Sequence, residues 1–371
     1  MTTVRRAGIL TGGGDCPGLN AVIRAVTKTL IFEQGLEVMG IADGFVGLIE
    51  NRIRLLTPDA VSNILTRGGT VLGTSNKATP RHYPAGKDDA GNTIFQDVTD
   101  RVLQHIAEHR IEVLVIVGGD GTMSSAVHLI RHGVHLIGVP KTIDNDLMHT
   151  EITFGFQTAV ETATEAIDRL HTTAASHHRV MLVETMGRNA GWLALNAGIA
   201  GGADVILIPE IPYRLDVIAA FCQQRVAQGK SSTIIVVSEG ARPAGGSQTV
   251  DQIVSDSFEQ IRLGGVSRML ARQIGHATGI EVRDTILGHV QRGGTPCAFD
   301  RVLATKLGHA ATQLIAAARW DRMVAVQQGK ITDVAIEDVA DQERQVPLDC
   351  QEIQAARGVG TCFGDYPSAV V

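Results

Sequence analysis

Short apolar runs alternate with longer amphipathic stretches along most of the chain. Residues 7–10, 38–41, 113–117, 136–139, 180–183, 205–208 and 234–237 are such runs, rich in Val, Ile and Leu. That pattern suits strands buried on both faces of a parallel sheet. Helical periodicity fills most of the intervals, the first from about Gly18 to Phe32. Alternating strands and helices predict an α/β fold with doubly wound sheets, and the number of repeats predicts two such units. In these folds the loops at the carboxyl ends of the strands build the site. Here those loops are where glycines and acidic residues collect. The polar stretch from Lys77 to Asp100, with Pro80, Pro84, Gly86 and Gly91, reads as a long surface excursion, and Arg242 to Gln248 as a second loop. No short-period repeat or low-complexity linker separates the units, so two lobes in intimate contact are expected.

Composition narrows the classes. The chain has 371 residues, 44 % hydrophobic and 19 % charged, which is globular and long enough for two or three domains. Lys plus Arg is 33 and Asp plus Glu is 39, a net charge of −6, which argues against a nucleic-acid binder. Aromatics at 4 % leave few stacking platforms for single strands. Cys16, Cys222, Cys297, Cys350 and Cys362 show no CxxC spacing and read as reduced thiols. No signal-peptide core follows Arg5 and Arg6, and no apolar run approaches the ~18 residues of a membrane helix. A soluble cytoplasmic protein is expected.

Three loops carry the candidate chemistry. Residues 11–20, Thr-Gly-Gly-Gly-Asp-Cys-Pro-Gly-Leu-Asn, join a strand to a helix. Glycines there let backbone N–H groups approach a phosphate, and a helix N-terminus favours its charge. Neither the Walker nor the dinucleotide fingerprint fits, and a plain tight turn is the alternative. Gly118-Gly119-Asp120-Gly121-Thr122 follows the third run. A carboxylate between glycines at a strand end can hold Mg²⁺ beside a polyphosphate. This motif also resembles NAD kinases and diacylglycerol-type lipid kinases. Pro140-Lys141-Thr142-Ile143-Asp144-Asn145-Asp146 follows the fourth run. Two close carboxylates beside Lys and Thr are costly unless a cation or a reacting group uses them, and one can take a hydroxyl proton.

With these three in order, and with Met186-Gly187-Arg188, Ser238-Glu239-Gly240 and residues 287–294 (Leu-Gly-His-Val-Gln-Arg-Gly-Gly) behind them, the chain resembles the phosphofructokinase family from Ala7 to about Leu307. The resemblance implies two doubly wound α/β lobes with the active site in the cleft between them. It implies a nucleotide and Mg²⁺ lobe of residues 1–155 plus 293–340, and a fructose 6-phosphate lobe of 156–292 plus 341–371. It assigns Asp144 as general base for the 1-hydroxyl of fructose 6-phosphate, with Thr142, Ile143 and Asp146 beside it. Asp120 takes the Mg²⁺, and Gly14, Gly119, Gly121 and Thr122 cradle the ATP phosphates. Arg188, with Met186 and Gly187, faces the sugar phosphate and the transferring phosphoryl group. Glu239, His289 and Arg292 are sugar-phosphate ligands. Arg179 and Arg283 match ligands supplied across a subunit interface, which implies a homo-oligomer, a tetramer or a dimer.

The donor marks are mixed. Gly121 is the form found in ATP users and leaves room for the α-phosphate, whereas Lys141 is the form found in pyrophosphate users. Steric exclusion is harder to evade than one extra cation, so ATP is favoured and pyrophosphate is the rival. Lys77 stands one residue after the place of an arginine that reaches the donor phosphates in many ATP-dependent members; a solvated loop lysine is the alternative. A non-catalytic paralogue is the third reading, opposed by the intact Asp120, Thr142, Asp144 and Arg188. Arg24 and Lys28 keep basic character on the first helix, but Pro58 stands where an effector site would carry a further basic residue. Outside these motifs, His128 and His132 read as helix-face residues rather than metal ligands, Trp192 as packing behind the Arg188 loop, and Cys16 as a small filler.

Overall fold

The computed structural model describes residues 4–89, 91–253 and 261–366. Strand β1 (Arg6–Thr11) leads into helix α1 (Leu19–Gln34), then β2 (Glu37–Ile41), α2 (Phe45–Ile49) and β3 (Ile53–Leu56). The Lys77–Asp100 stretch does not run as plain loop. It folds back on itself as an antiparallel hairpin, β4 (Tyr83–Lys87) and β5 (Thr93–Gln96), ahead of α3 (Thr99–Glu108). The chain continues through β6 (Val113–Gly118), α4 (Asp120–Ile130), β7 (Leu136–Thr142) and β8 (Phe154–Gly155). Helix α5 (Phe156–His177) leads to β9 (Val180–Thr185), α6 (Trp192–Ala200), β10 (Val205–Leu207), α7 (Leu215–Ala227) and β11 (Thr233–Ser238). A small hairpin, β12 (Val250–Ile253) and β13 (Ile261–Leu263), precedes α8 (Val266–Thr278) and β14 (Val282–Ile286). Helix α9 (Ala298–Ala316), β15 (Arg322–Gln327), β16 (Lys330–Ala335) and α10 (Gln351–Gly358) complete the fold.

All seven strands expected from the apolar runs are present. Two sheets result. The larger has the order β16-β15-β7-β6-β1-β2-β3, with β8 beside β7. Its interior is parallel, and the antiparallel pairs β2–β3 and β15–β16 close its edges. The chain runs from β1 outward to β2 and from β6 outward to β7, so the order reverses between β1 and β6. A crevice must open there, because the two following loops leave in opposite directions. The smaller sheet, β10-β11-β9-β14, is wholly parallel, and residue 362 extends its edge by a parallel bridge to Val205.

Packing explains why the two units stay together. One apolar cluster runs without a break from the larger sheet through α1 and α9 into α5, α6 and the smaller sheet. The far face of the larger sheet is covered by α2, α3 and α4, and the far face of the smaller by α7 and α8. Gly308 of α9 lets that helix close on α1; a Cβ there would lie 2.9 Å from the Ala25 methyl. Residues 1–3 and 367–371, the outer ends of the two lobes assigned from sequence, lie outside the described residues. No helix among the described residues is long and apolar enough to cross a membrane.

Candidate active site

The first loop sits at the crevice. Gly12 donates its N–H to the Val117 carbonyl at 2.9 Å, so the turn is pinned across the β1–β6 gap. Thr74 holds the Gly13 carbonyl at 2.6 Å, and Lys141 Nζ donates to the Gly14 carbonyl at 2.5 Å. Arg292 reaches the same turn from the 3₁₀ segment Gly288–Arg292 and donates to the Asp15 carbonyl at 3.1 Å. A Cβ at Gly14 would lie 2.8 Å from Arg292 Nη1, so a larger residue there would push the guanidinium off the turn. Cys16 is fully buried in the turn and burial raises its thiol far above the ordinary range, so it fills space and stays protonated.

The second loop opens α4. Gly119 is its N-cap, and Asp120, Gly121 and Thr122 form its first turn, where the helix dipole favours anions. Asp120 Oδ1 accepts the Asp341 N–H at 2.9 Å. Burial, and then the charges of Asp341 and Glu343, raise the Asp120 carboxyl above its usual range. A cation there relieves both effects. Among the described residues no group of three or more His, Cys, Asp or Glu side chains is arranged to hold a metal unaided. One carboxylate completed by phosphate oxygens is the donor set Mg²⁺ accepts, so these residues fit a divalent cation that arrives with its polyphosphate.

The third loop leaves β7. Thr142, Ile143, Asp144, Asn145 and Asp146 are all buried. Asp144 donates its N–H to Thr142 Oγ1 at 3.0 Å, and Thr153 anchors the Thr142 carbonyl at 2.7 Å. Asn145, between the two aspartates, takes a left-handed backbone (φ 54°). Asp144 Oδ1 is buried with no hydrogen-bond partner. The Asp146 carboxyl is raised by burial first and then by the Asp144 charge.

The smaller sheet supplies the opposing wall. Beyond β9, Met186 donates its N–H to Gln291 Oε1 at 3.4 Å, and Gly187 leads into Arg188, which is left-handed (φ 49°). Arg188 donates its N–H to Glu239 Oε1 at 3.1 Å, joining the β9 and β11 loops. Gly240 is needed beside it, because a Cβ would fall 1.8 Å from the Arg188 carbonyl oxygen. The Glu239 carboxyl is pushed up to about 7 by burial and then by Asp144. His289 is exposed on the 3₁₀ segment after β14. Trp192 stands at the start of α6, with its indole N–H on the Arg344 carbonyl.

Three of the residues singled out from sequence stand apart. Lys77 is exposed on its loop. Arg179 and Arg283 lie at the amino-terminal ends of β9 and β14 and share the Glu281 carboxylate at 2.8 and 2.6 Å. Six strand residues separate Arg179 from the loop that carries Arg188, about 20 Å at ~3.3 Å per residue. His128 lies against Thr99 Oγ1 at 2.7 Å and His132 against it, with no metal arrangement among the described residues. Thr74, Gln291, Asn145 and Arg344 hold the loops and were not singled out from sequence. Asn145 and Gln291 fall within quoted runs, whereas Thr74 and Arg344 lie outside them.

The geometry above can be set beside known proteins. A family model described as Phosphofructokinase matches residues 6–315. An ATP-dependent 6-phosphofructokinase 2 of Clostridium perfringens is 49 % identical over 366 residues, covering 98 % of this chain and 100 % of that protein. An ATP-dependent 6-phosphofructokinase of Spirochaeta thermophila is 47 % identical over 362 residues, covering 97 % and 98 %. Among solved structures, the Pichia pastoris phosphofructokinase in the T-state superposes with a TM-score of 0.75 at 30 % identity. It covers 91 % of this chain and 36 % of its own. A pyrophosphate-dependent phosphofructokinase from Marinobacter aquaeolei has a TM-score of 0.77 at 22 % identity over 97 % of this chain and 88 % of its own, a likeness of fold alone.

Proposed function

The chain belongs to the phosphofructokinase family, and on that premise we propose that its cleft transfers the terminal phosphoryl group of ATP to the 1-hydroxyl of fructose 6-phosphate, the glycolytic step that makes fructose 1,6-bisphosphate. The observation that carries the mechanism is Asp144 Oδ1, buried and unpartnered at the mouth of β7. A buried carboxylate oxygen without a donor is costly, and a substrate hydroxyl supplies the missing donor. Asp144 then accepts that proton as the oxygen attacks phosphorus. Thr142 fixes the Asp144 backbone, and Ile143 and Asp146 complete the loop behind it.

On the donor side, the first turn of α4 and the Gly12–Gly14 turn present backbone N–H groups to the phosphates. Asp120 would hold Mg²⁺, which would supply neutralisation of charge on the transferring group. Lys77, exposed on the loop that carries Thr74, is assigned to the donor's phosphates on the family resemblance alone. On the acceptor side, Arg188 meets the phosphoryl group in flight, and Met186, Gly187, Glu239, His289 and Arg292 hold the sugar phosphate. Most of the work is positioning and charge neutralisation, so no nucleophile on the protein is required.

Pyrophosphate is the second reading, and Lys141 is what favours it. The Lys141 ammonium is buried and bound to the Gly14 carbonyl, so it braces the donor turn. Gly121 keeps the space an α-phosphate needs. The bond to Gly14 serves either donor, so the choice of ATP rests on Gly121.

Arg179 and Arg283 are too far along the strands to serve the cleft of their own chain. We assign them to the cleft of a neighbouring copy, in a homo-oligomer that uses the β14 edge, where Ile286 and Val290 are exposed. The lobe division at residues 155, 292 and 340 follows from the same reading, as does a cytoplasmic setting, where five cysteines outside any disulfide are stable. The test is formation of fructose 1,6-bisphosphate from fructose 6-phosphate and Mg²⁺ with ATP or pyrophosphate offered separately. Turnover with ATP supports the reading; turnover with pyrophosphate alone overturns the donor, and none with either overturns the reaction.

A further inference from the structure

The segment from Asp341 to Val346 crosses between the two sheets behind the cleft. At one end Asp341 donates its N–H to Asp120 Oδ1 at 2.9 Å. At the other, Val346 donates to Glu210 Oε1 at 2.8 Å, the same oxygen that accepts the Gly191 N–H at 2.9 Å. Gly191 is the N-cap of α6, three residues after Arg188. The middle of the segment is Arg344. Its N–H goes to the Asp146 carbonyl at 2.7 Å. Its Nε and Nη2 both go to the Asn145 carbonyl, at 3.2 and 3.0 Å. Its own carbonyl accepts the Trp192 indole N–H at 2.9 Å, and its guanidinium carbon lies 4.2 Å from the Trp192 ring centre.

Resting on the phosphoryl-transfer reading above, we propose that Arg344 is a positioning residue: it clamps the Asp144–Asp146 turn to the start of α6, and so holds Asp144 and Arg188 at their working separation. The turn needs such a clamp. Asn145 is left-handed, a conformation that non-glycine residues hold only when their surroundings fix it. Its side-chain oxygen is already committed to the Thr153 N–H at 3.0 Å, and its carbonyl is held by the Arg344 fork. A guanidinium is suited to this task, because two of its donors converge on one carbonyl while its face stacks on an indole. Lysine supplies one point charge and neither feature.

Phosphoryl transfer is sensitive to such placement, since a displacement of about 1 Å can cost on the order of 10²-fold in rate. Arg344→Met keeps the apolar stem against Trp192 and removes the fork. We expect it to lower kcat about 10- to 100-fold, to leave the KM for both substrates within about threefold, and to leave the unfolding temperature within a few degrees. Arg344→Lys should remain at least about fivefold below wild type in kcat. The proposal is overturned by wild-type kcat in Arg344→Met, by a loss confined to KM, or by full recovery in Arg344→Lys. If Arg344→Met does not fold, Arg344→Lys carries the same measurements; if neither folds, Arg344 is structural and the proposal is withdrawn. Absence of activity in the wild-type protein would sink the reaction itself, which separates the two failures.

Discussion

Replacing Glu239 by Gln should make this protein more stable above neutral pH while weakening its hold on the sugar phosphate. The Glu239 carboxyl titrates at about 7 in the folded chain against an ordinary 4.5. Between those values the folded state keeps a proton that the unfolded chain has lost. Stability therefore is fully present below about pH 4.5 and falls as pH rises through about 7. Two and a half units at ~1.4 kcal/mol per unit give a ceiling of about 3 kcal/mol, reduced by the partial solvent access of the side chain. Unfolding entropy of ~2.1 cal/mol/K per residue over 371 residues is about 0.8 kcal/mol/K, so the ceiling corresponds to roughly 4 °C. Gln removes the titration and still offers Arg188 N–H an acceptor, the bond that Glu239 makes at 3.1 Å. The assay is the unfolding temperature of both proteins at pH 5 and pH 8, at one scan rate. The variant should gain on wild type by up to about 4 °C between the two pH values, and at pH 8, where Glu239 is ionised, its KM for fructose 6-phosphate should rise about tenfold, as for loss of a charge-assisted bond. Parallel pH curves, or a variant that loses ground at pH 8, would refute the account of the buried carboxylate.

Asp144→Ser should lower kcat by ~10²–10⁴ while fructose 6-phosphate still binds; near-normal turnover by initial rates would remove Asp144 from proton transfer. Gly121→Asp should harm turnover with ATP far more than with pyrophosphate, and equal losses would defeat the steric account of the donor. Arg283→Ala and Asp144→Ser subunits, each impaired alone, should regain activity when refolded together, because a hybrid can hold one intact cleft; failure of every mixture would place Arg283 outside the neighbour's site.

The interior of the fold was legible because buried parallel strands announce themselves as apolar runs. Some strands that escaped notice have mixed surroundings, whereas β15 was missed although Met323–Val326 is a buried apolar run. β14 reads Val-Arg-Asp-Thr-Ile and has no fully buried residue, so neither alternation nor an apolar run marks it. β4 contains Pro84 and Gly86, ordinary signs of a loop, and forms only because an edge hairpin with a register shift tolerates both. In the site, the loops after β1, β6 and β7 were readable because phosphate turns need glycine and acid at fixed places in sequence. Arg344 was not, because its bonds go to backbone carbonyls, and a carbonyl recipient leaves no residue type to search for.

That choice of partner also explains how an acidic protein can hold two anionic substrates in one cleft. Arg292 donates to the Asp15 carbonyl and Arg344 to that of Asn145; neither meets a carboxylate within salt-bridge reach among the described residues. A carboxylate partner would cancel the positive potential, whereas a carbonyl orients Arg292 and leaves its charge to act across the cleft, where low-dielectric walls focus it; Arg344, behind the cleft, faces the charges of Asp146, Glu151 and Glu352. The outlying pair follows the same rule in another form. Arg179 and Arg283 share a single Glu281 carboxylate, so two positive charges face one negative and a net positive charge remains at the β14 edge. In the proposed homo-oligomer, an anion brought there by a neighbouring copy would complete the balance. Loss of Glu281 would then leave two adjacent guanidinium groups without a counter-charge until the neighbour's substrate arrives, so Glu281→Gln should weaken assembly and make it depend on fructose 6-phosphate. Sedimentation with and without the sugar phosphate measures this, and assembly indifferent to both the substitution and the ligand would show that the two arginines serve their own chain alone.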